Sequence, residues 1–193
     1  MTVDQPAAPT SASPVDPYDG RRRRRRWPYA LLAVLAVLAG GAVGQRAHPV
    51  VLRTEVEIAA SPDQVWTVLA DRAAYPEWNP FIVRSSGRLQ VGQKVTNVHR
   101  IGGKTMVFKP TVLAVQPGHE LRWIGRLLVP GIFDGEHSFT LTQTAPGRTH
   151  LVQQETFKGI AVPFTAGWLR GDTLSGFRAL NTALRDRVES RYR

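Results

Sequence analysis

A chain of 193 residues that is 42% hydrophobic can bury the core of one ordinary domain and still carry a tail, which excludes a wholly disordered chain and a pair of enzyme-sized units. Zero cysteine removes disulfides, thiolate zinc sites, iron–sulfur ligation and a cysteine nucleophile. Of the net charge of +10, residues 1–50 hold +4, with Arg21 to Arg26 consecutive, and residues 51–193 hold +6 spread along the chain, so the charge does not describe a nucleic-acid-binding face.

Residues 1–20 are rich in Pro, Ala, Ser, Thr and Asp and show no apolar period, so residues 1–26 read as a disordered tail ending in the arginine block. Residues 27–45 then carry no charge. Eighteen helical residues span about 27 Å, close to the thickness of a hydrocarbon core. Trp27 and Tyr29 stand where an interfacial aromatic belt belongs, and Arg21 to Arg26 suit anionic headgroups on the cytoplasmic side. The segment therefore reads as one transmembrane helix, a signal anchor in the cell membrane with the N-terminus cytoplasmic and the domain outside. A cleaved signal peptide, leaving a secreted domain, has the same layout, and Ala42-Val43-Gly44 resembles a cleavage site. The arginine run also contains the pair of a twin-arginine signal.

After a linker at 46–49, a domain spans 50–193. Val50, Leu52, Thr54, Val56 and Ile58 alternate with Arg53, Glu55 and Glu57, the period of a strand with one wet face. Ser61-Pro62-Asp63-Gln64 is a helix start, with a capping serine, proline in the first turn and glutamine three residues after the cap. Val65, Trp66, Val68 and Leu69 form the stripe of that helix, and 72–80 makes a second short segment broken by Pro76 and Pro80. Strand-like pieces follow at about 81–90, 94–100, 105–115, 119–126, 132–143 and 148–158, separated by Gly/Pro turns. The period then changes: Leu169, Thr173, Phe177, Leu180, Leu184 and Val188 predict one long amphipathic helix over 164–191.

These pieces compose an α+β fold: a curved seven-stranded antiparallel sheet around a long C-terminal helix, with two short helices after the first strand. Between sheet and helix there is room for an apolar ligand wherever facing side chains are small. The order of elements resembles the START/SRPBCC superfamily, the helix-grip fold of polyketide cyclase/dehydrase-like and lipid-transfer proteins. The resemblance is carried by Trp66 to Asp71, Tyr75 to Phe81, Phe108-Lys-Pro110, Glu120 to Trp123, Gly135 to Phe139 and Gln154 to Gly159, and covers about 50–191. It implies the fold; cyclases, hydrolases, carriers and regulators all share that fold.

A symmetric turn at Pro146-Gly147 makes strand partners sum to about 292, pairing Leu141 with Leu151, Phe139 with Gln153 and His137 with Glu155 on the inner face. A carboxylate beside an imidazole could orient a carbonyl or move a proton, and it could equally be a satisfied buried pair. His137 and Glu155 are thus the catalytic candidates. Trp78, Phe108, Trp123, His137, Phe139, Leu141, Glu155, Phe157 and Phe177 form the candidate ligand-binding set, Trp78 as an aromatic gate or as a packed loop. The scattered His48, His99, His119, His137 and His150 have no metal spacing, and no serine elbow or phosphate loop occurs, so no metal and no cofactor is expected. No nucleic-acid partner is expected either. The primary reading is a membrane-tethered domain that binds a hydrophobic small molecule or lipid and is not an enzyme. Its rivals are a polyketide cyclase/dehydrase-like enzyme using His137 as base, and a ligand-free protein-interaction module with a filled core.

Overall fold

The computed structural model describes residues 27–47, 49–127 and 129–193. The tail and arginine block expected over 1–26, and His48 in the linker, lie outside the described residues. The chain divides into two compact units, Met1–Gly40 and Gly41–Arg193.

Helix α1 covers Trp27–Ala47, where the uncharged run predicts a helix. Its exposed Leu31, Leu32, Val34, Leu35 and Val37 fall on every side at 100° per residue. Over the described residues, no helix is long and apolar enough to cross a membrane, so the expected span is not shown. The α1 side chains at 38, 42, 43 and 45–47 lie outside that description.

In the second unit, β1 (Val50–Ile58) leads into α2 (Pro62–Ala70) through the capping box predicted for Ser61. The Ser61 N–H donates to Gln64 Oε1 at 2.8 Å and Gln64 N–H returns to Ser61 Oγ at 3.4 Å, satisfying two otherwise orphaned donors. A 3₁₀ turn (Arg72–Ala74) and α3 (Tyr75–Trp78) follow. The buried Tyr75 hydroxyl donates to the Leu69 carbonyl at 2.7 Å and ties the two short helices together.

Among the described residues eight strands form, not the expected seven, and they divide into two sheets. β2 (Ile82–Ser86), β3 (Thr96–Ile101) and β4 (Lys104–Phe108) make one; β5 (Thr111–Gln116), β6 (Glu120–Leu127), β7 (Phe133–Ala145) and β8 (Arg148–Lys158) join β1 in the order β1-β8-β7-β6-β5. The extra strand comes from Pro110, which splits the 105–115 run: proline has no N–H to continue a ladder. Its carbonyl instead accepts from Val95 N–H at 3.0 Å, and Val112 N–H donates to Gln93 at 2.9 Å, linking the small sheet's approach to the large one.

The predicted C-terminal helix is also subdivided, into α4 (Val162–Trp168), a π turn (Leu169–Thr173) and α5 (Leu174–Arg191). Four-residue steps drift forward around an α-helix and backward around a π-helix. The wide turn therefore keeps buried Leu169 and Thr173 in line with Phe177, Leu180, Leu184 and Val188, all buried. Helix α5 packs on β1 and α2, with Asn181 Nδ2 donating to Thr54 Oγ1 at 2.9 Å. Gly176 permits this approach, since a Cβ there would land on the Phe81 ring.

Candidate functional site

The β7–β8 register pairs His137 with Glu155, Phe139 with Gln153 and Leu141 with Leu151. The sum of 292 arises differently from a symmetric turn. Ala145 pairs with Arg148 around a two-residue turn, and a bulge between Gln143 and Ala145 restores the register beyond it. The adjacent strand adds Trp123 opposite His137 and Leu121 opposite Phe139.

The result is an aromatic cluster built around one imidazole. His137 is 1% exposed and stacks on Trp123, with centroids 5.0 Å apart and planes 10° from parallel. Phe139 and Phe177 contact the same imidazole at 4.9 and 5.0 Å. Because a carboxylate only accepts, the 3.2 Å contact makes His137 Nδ1–H the donor to Glu155 Oε2. The opposite nitrogen, Nε2, accepts from the Gln153 amide at 3.2 Å. Both ring nitrogens are thus engaged. The Glu155 side chain is 17% exposed, so its carboxylate connects the sealed ring to the outside.

Facing glycines shape the space beside this dyad. Gly125 pairs with Gly135, and Gly135 with Phe157. A Cβ at Gly135 would press on Glu155 Oε1 at 2.7 Å and on the Phe157 ring, whereas one at Gly125 would meet nothing closer than 3.9 Å. The inner face is therefore open at Gly125 and tightly filled at Gly135.

A second imidazole, His99 on β3, lies within electrostatic reach of the first. Its ring contacts Phe81 and Phe108, both at 4.8 Å, and Phe81 contacts Phe177 at 5.4 Å. Its Nε2 is buried without a partner, as is Gln153 Oε1. Burial, reinforced by nearby His137, pushes the His99 pKa from 6.5 down to about 3.

Of the residues predicted from sequence, Trp123, His137, Phe139, Glu155 and Phe177 come together in one place. Phe108 joins through His99, and Phe157 borders the Glu155 side while packing on Phe133 at 5.4 Å. Leu141 lies farther along β7 in the packed core with Leu121 and Leu151. Trp78 packs edge-on against Tyr75 at 5.2 Å and lines a groove with Val98, Arg100 and Thr105, which places it away from the His137 dyad. The sequence reading places Gln153 on the inner face, as the register shows, without counting it in the site, and leaves His99 out of the site altogether. Gln153 shares the period-two phase of Glu155, and His99 shares that of buried Asn97 and Ile101, which is the signal in the sequence that points each of them inward. Among the described residues, no group of three or more His, Asp or Glu is placed to hold a metal ion.

Comparison with known proteins agrees with this architecture. Residues 49–189 match the family described as polyketide cyclase / dehydrase and lipid transport. The Zhui aromatase/cyclase from Streptomyces sp. R1128 superposes with a TM-score of 0.64 at 19% identity, over 76% of this chain and 97% of that one. A START superfamily protein from Mycobacterium smegmatis gives 0.56 at 22% identity, over 72% and 97%. The di-domain ARO/CYC BexL of the BE-7585A biosynthetic pathway gives 0.62 at 14% identity, over 88% of this chain and 60% of that one. Among curated proteins, none matches this chain. On the family match over most of its length, the chain belongs to the polyketide cyclase / dehydrase and lipid transport family.

Proposed function

We propose that the domain binds a hydrophobic small molecule or lipid between the curved sheet and the C-terminal helices, and that His137, Gln153 and His99 orient its polar group. The observation that carries this reading is the state of the two imidazoles. A general base needs a free nitrogen and a pKa near the working pH. His137 has both nitrogens hydrogen-bonded, and His99 is held near 3, far too weak a base at neutral pH. An uncharged His99 with an unpartnered Nε2, and a Gln153 with an unpartnered carbonyl oxygen, are instead suited to recognise a ligand's hydroxyl or carbonyl. Apolar burial against Trp123, Phe139, Phe157 and Phe177 supplies the affinity.

The test is to purify the full chain in an uncharged detergent, extract it with organic solvent, and weigh what is released. A species of a few hundred daltons near one equivalent, altered in His137→Ala, is the expected result. Clean extracts, with no thermal shift from lipids or aromatic polyketides, overturn the reading.

A cyclase reading is favoured by one observation, the aromatase/cyclase activity named for two structural neighbours. It requires Gln153 to release His137 Nε2 on substrate binding. Turnover of a poly-β-ketone chain by the wild type, lost in His137→Ala, would establish it.

We further propose that α1 tethers the domain to a membrane. Support comes from the uncharged run 27–45 behind six arginines, and from apolar side chains exposed on every side of the helix. Resistance of the full chain to carbonate extraction, with a C-terminal reporter active only outside the cytoplasm, is the outcome expected. Release of a shortened chain would instead mark a cleaved signal.

A further inference from the structure

A second site lies on the outer face of the small sheet, on the surface of β2 and β3 opposite His99. This groove of about 640 Å³ is walled by Pro76, Trp78 and Asn79 on one side and by Val83, Arg84, Val98 and Arg100 on the other. Its volume is that of a small-molecule site. Nearly everything polar that lines it donates. Asn79 is 4% exposed, and its Oδ1 accepts from the Phe81 and Ile82 N–H groups at 3.0 and 2.8 Å, which fixes the amide orientation. The Nδ2 group therefore remains as a donor, and it has no acceptor. Trp78 Nε1–H is buried and lacks an acceptor as well.

The charges have the same sign of preference. Arg84 pairs with Val98 across the ladder and Arg100 follows two residues later, placing the two guanidiniums diagonally on one face. Among the described residues, neither has a carboxylate within salt-bridge distance. The one acid lining the groove, Glu77, is already held by Arg187 at 2.7 Å, so it offers little competition. Trp78, Val83, Val98 and the two prolines supply apolar walls beside these donors.

We propose that this groove binds a small amphipathic anion, a carboxylate or phosphate monoester whose head meets Arg84 and Arg100 while its apolar body lies along Trp78, Val83 and Val98. Charge-assisted hydrogen bonds from arginine supply the affinity for the head. The site is separate from the aromatic cluster around His137 and stands whether or not a ligand binds there.

The test uses the full chain in uncharged detergent and the indole N–H signals of its tryptophans, with Trp78 assigned from Trp78→Phe. Phenyl phosphate should shift the Trp78 signal saturably, at least about tenfold more tightly than inorganic phosphate, while benzyl alcohol leaves it in place. Arg84→Gln with Arg100→Gln should weaken phenyl phosphate at least about tenfold, whereas Lys158→Gln, an equal loss of charge per site elsewhere, should not. The proposal is overturned if the double variant binds as the wild type does, if benzyl alcohol competes equally, or if inorganic phosphate binds as tightly as its phenyl ester.

Discussion

The His137 cluster and the Trp78 groove lie on opposite faces of one wrapped structure, and they use polar groups in opposite ways. Inside, the rings of Trp123, Phe139 and Phe177 all lie within 6 Å of the His137 imidazole, whose two nitrogens each have a named partner. There a single proton position is fixed by Glu155, and burial decides ionisation. Outside, Arg84 and Arg100 are exposed and, among the described residues, have no carboxylate within salt-bridge distance. Buried polar groups therefore confer orientation in this molecule, and exposed ones confer attraction.

This contrast predicts a graded response to mutation. Removing a ring from the inside has the largest expected effect: Phe177→Ala should cost about 3–5 kcal/mol in urea unfolding, because Phe81 and His137 lose their shared neighbour and α5 cannot collapse onto the gap. Next comes His137→Leu, which keeps volume but strands Glu155 Oε2 and the Gln153 amide; about 1–3 kcal/mol should be lost. A loss below about 0.5 kcal/mol in either variant would mean that the inside is as tolerant as the surface.

A third change sharpens the comparison through pH. The His99 pKa in the folded state, about 3, lies below its ordinary 6.5, so between those values the unfolded chain binds the additional proton. The stability that neutral His99 contributes is complete above 6.5 and is lost as pH falls toward 3. His99→Phe should therefore flatten the acid side of the stability profile by up to one proton, about 1.4 kcal/mol per pH unit, when unfolding is followed from pH 7 to pH 5. An unchanged slope would show that His99 is solvated in the folded protein. Smallest of all, Arg84→Gln and Arg100→Gln should leave stability within about 0.5 kcal/mol while altering anion binding.

What the sequence made legible was local or arithmetical. The capping box needs only residues 61 and 64, and the His137–Glu155 pairing needs only a turn position and a two-residue period. Pro110 was visible too, and reading it as a ladder break would have produced eight strands. The π turn could not be read, because Leu169 and Thr173 look helical at any pitch until the sheet demands that both point inward. The Trp78 groove escaped for a similar reason. It forms where α3 and Pro80 meet Arg84 and Arg100, and the register that puts the two arginines on one face passes through an irregularity between Ile82 and Arg84.

The absent side chain at Gly176 has a consequence for how this fold could diversify. The distance between helix and sheet is set there by direct contact of backbone with the Phe81 ring. Lengthening residue 176 would lever α5 outward and enlarge the interior, while shortening residue 81 would let the helix settle and shrink it. A paired exchange at 176 and 81 is thus a dial for interior volume, and selection could turn it without replacing His137 or Glu155, shifting only the Phe177 ring that packs on the imidazole.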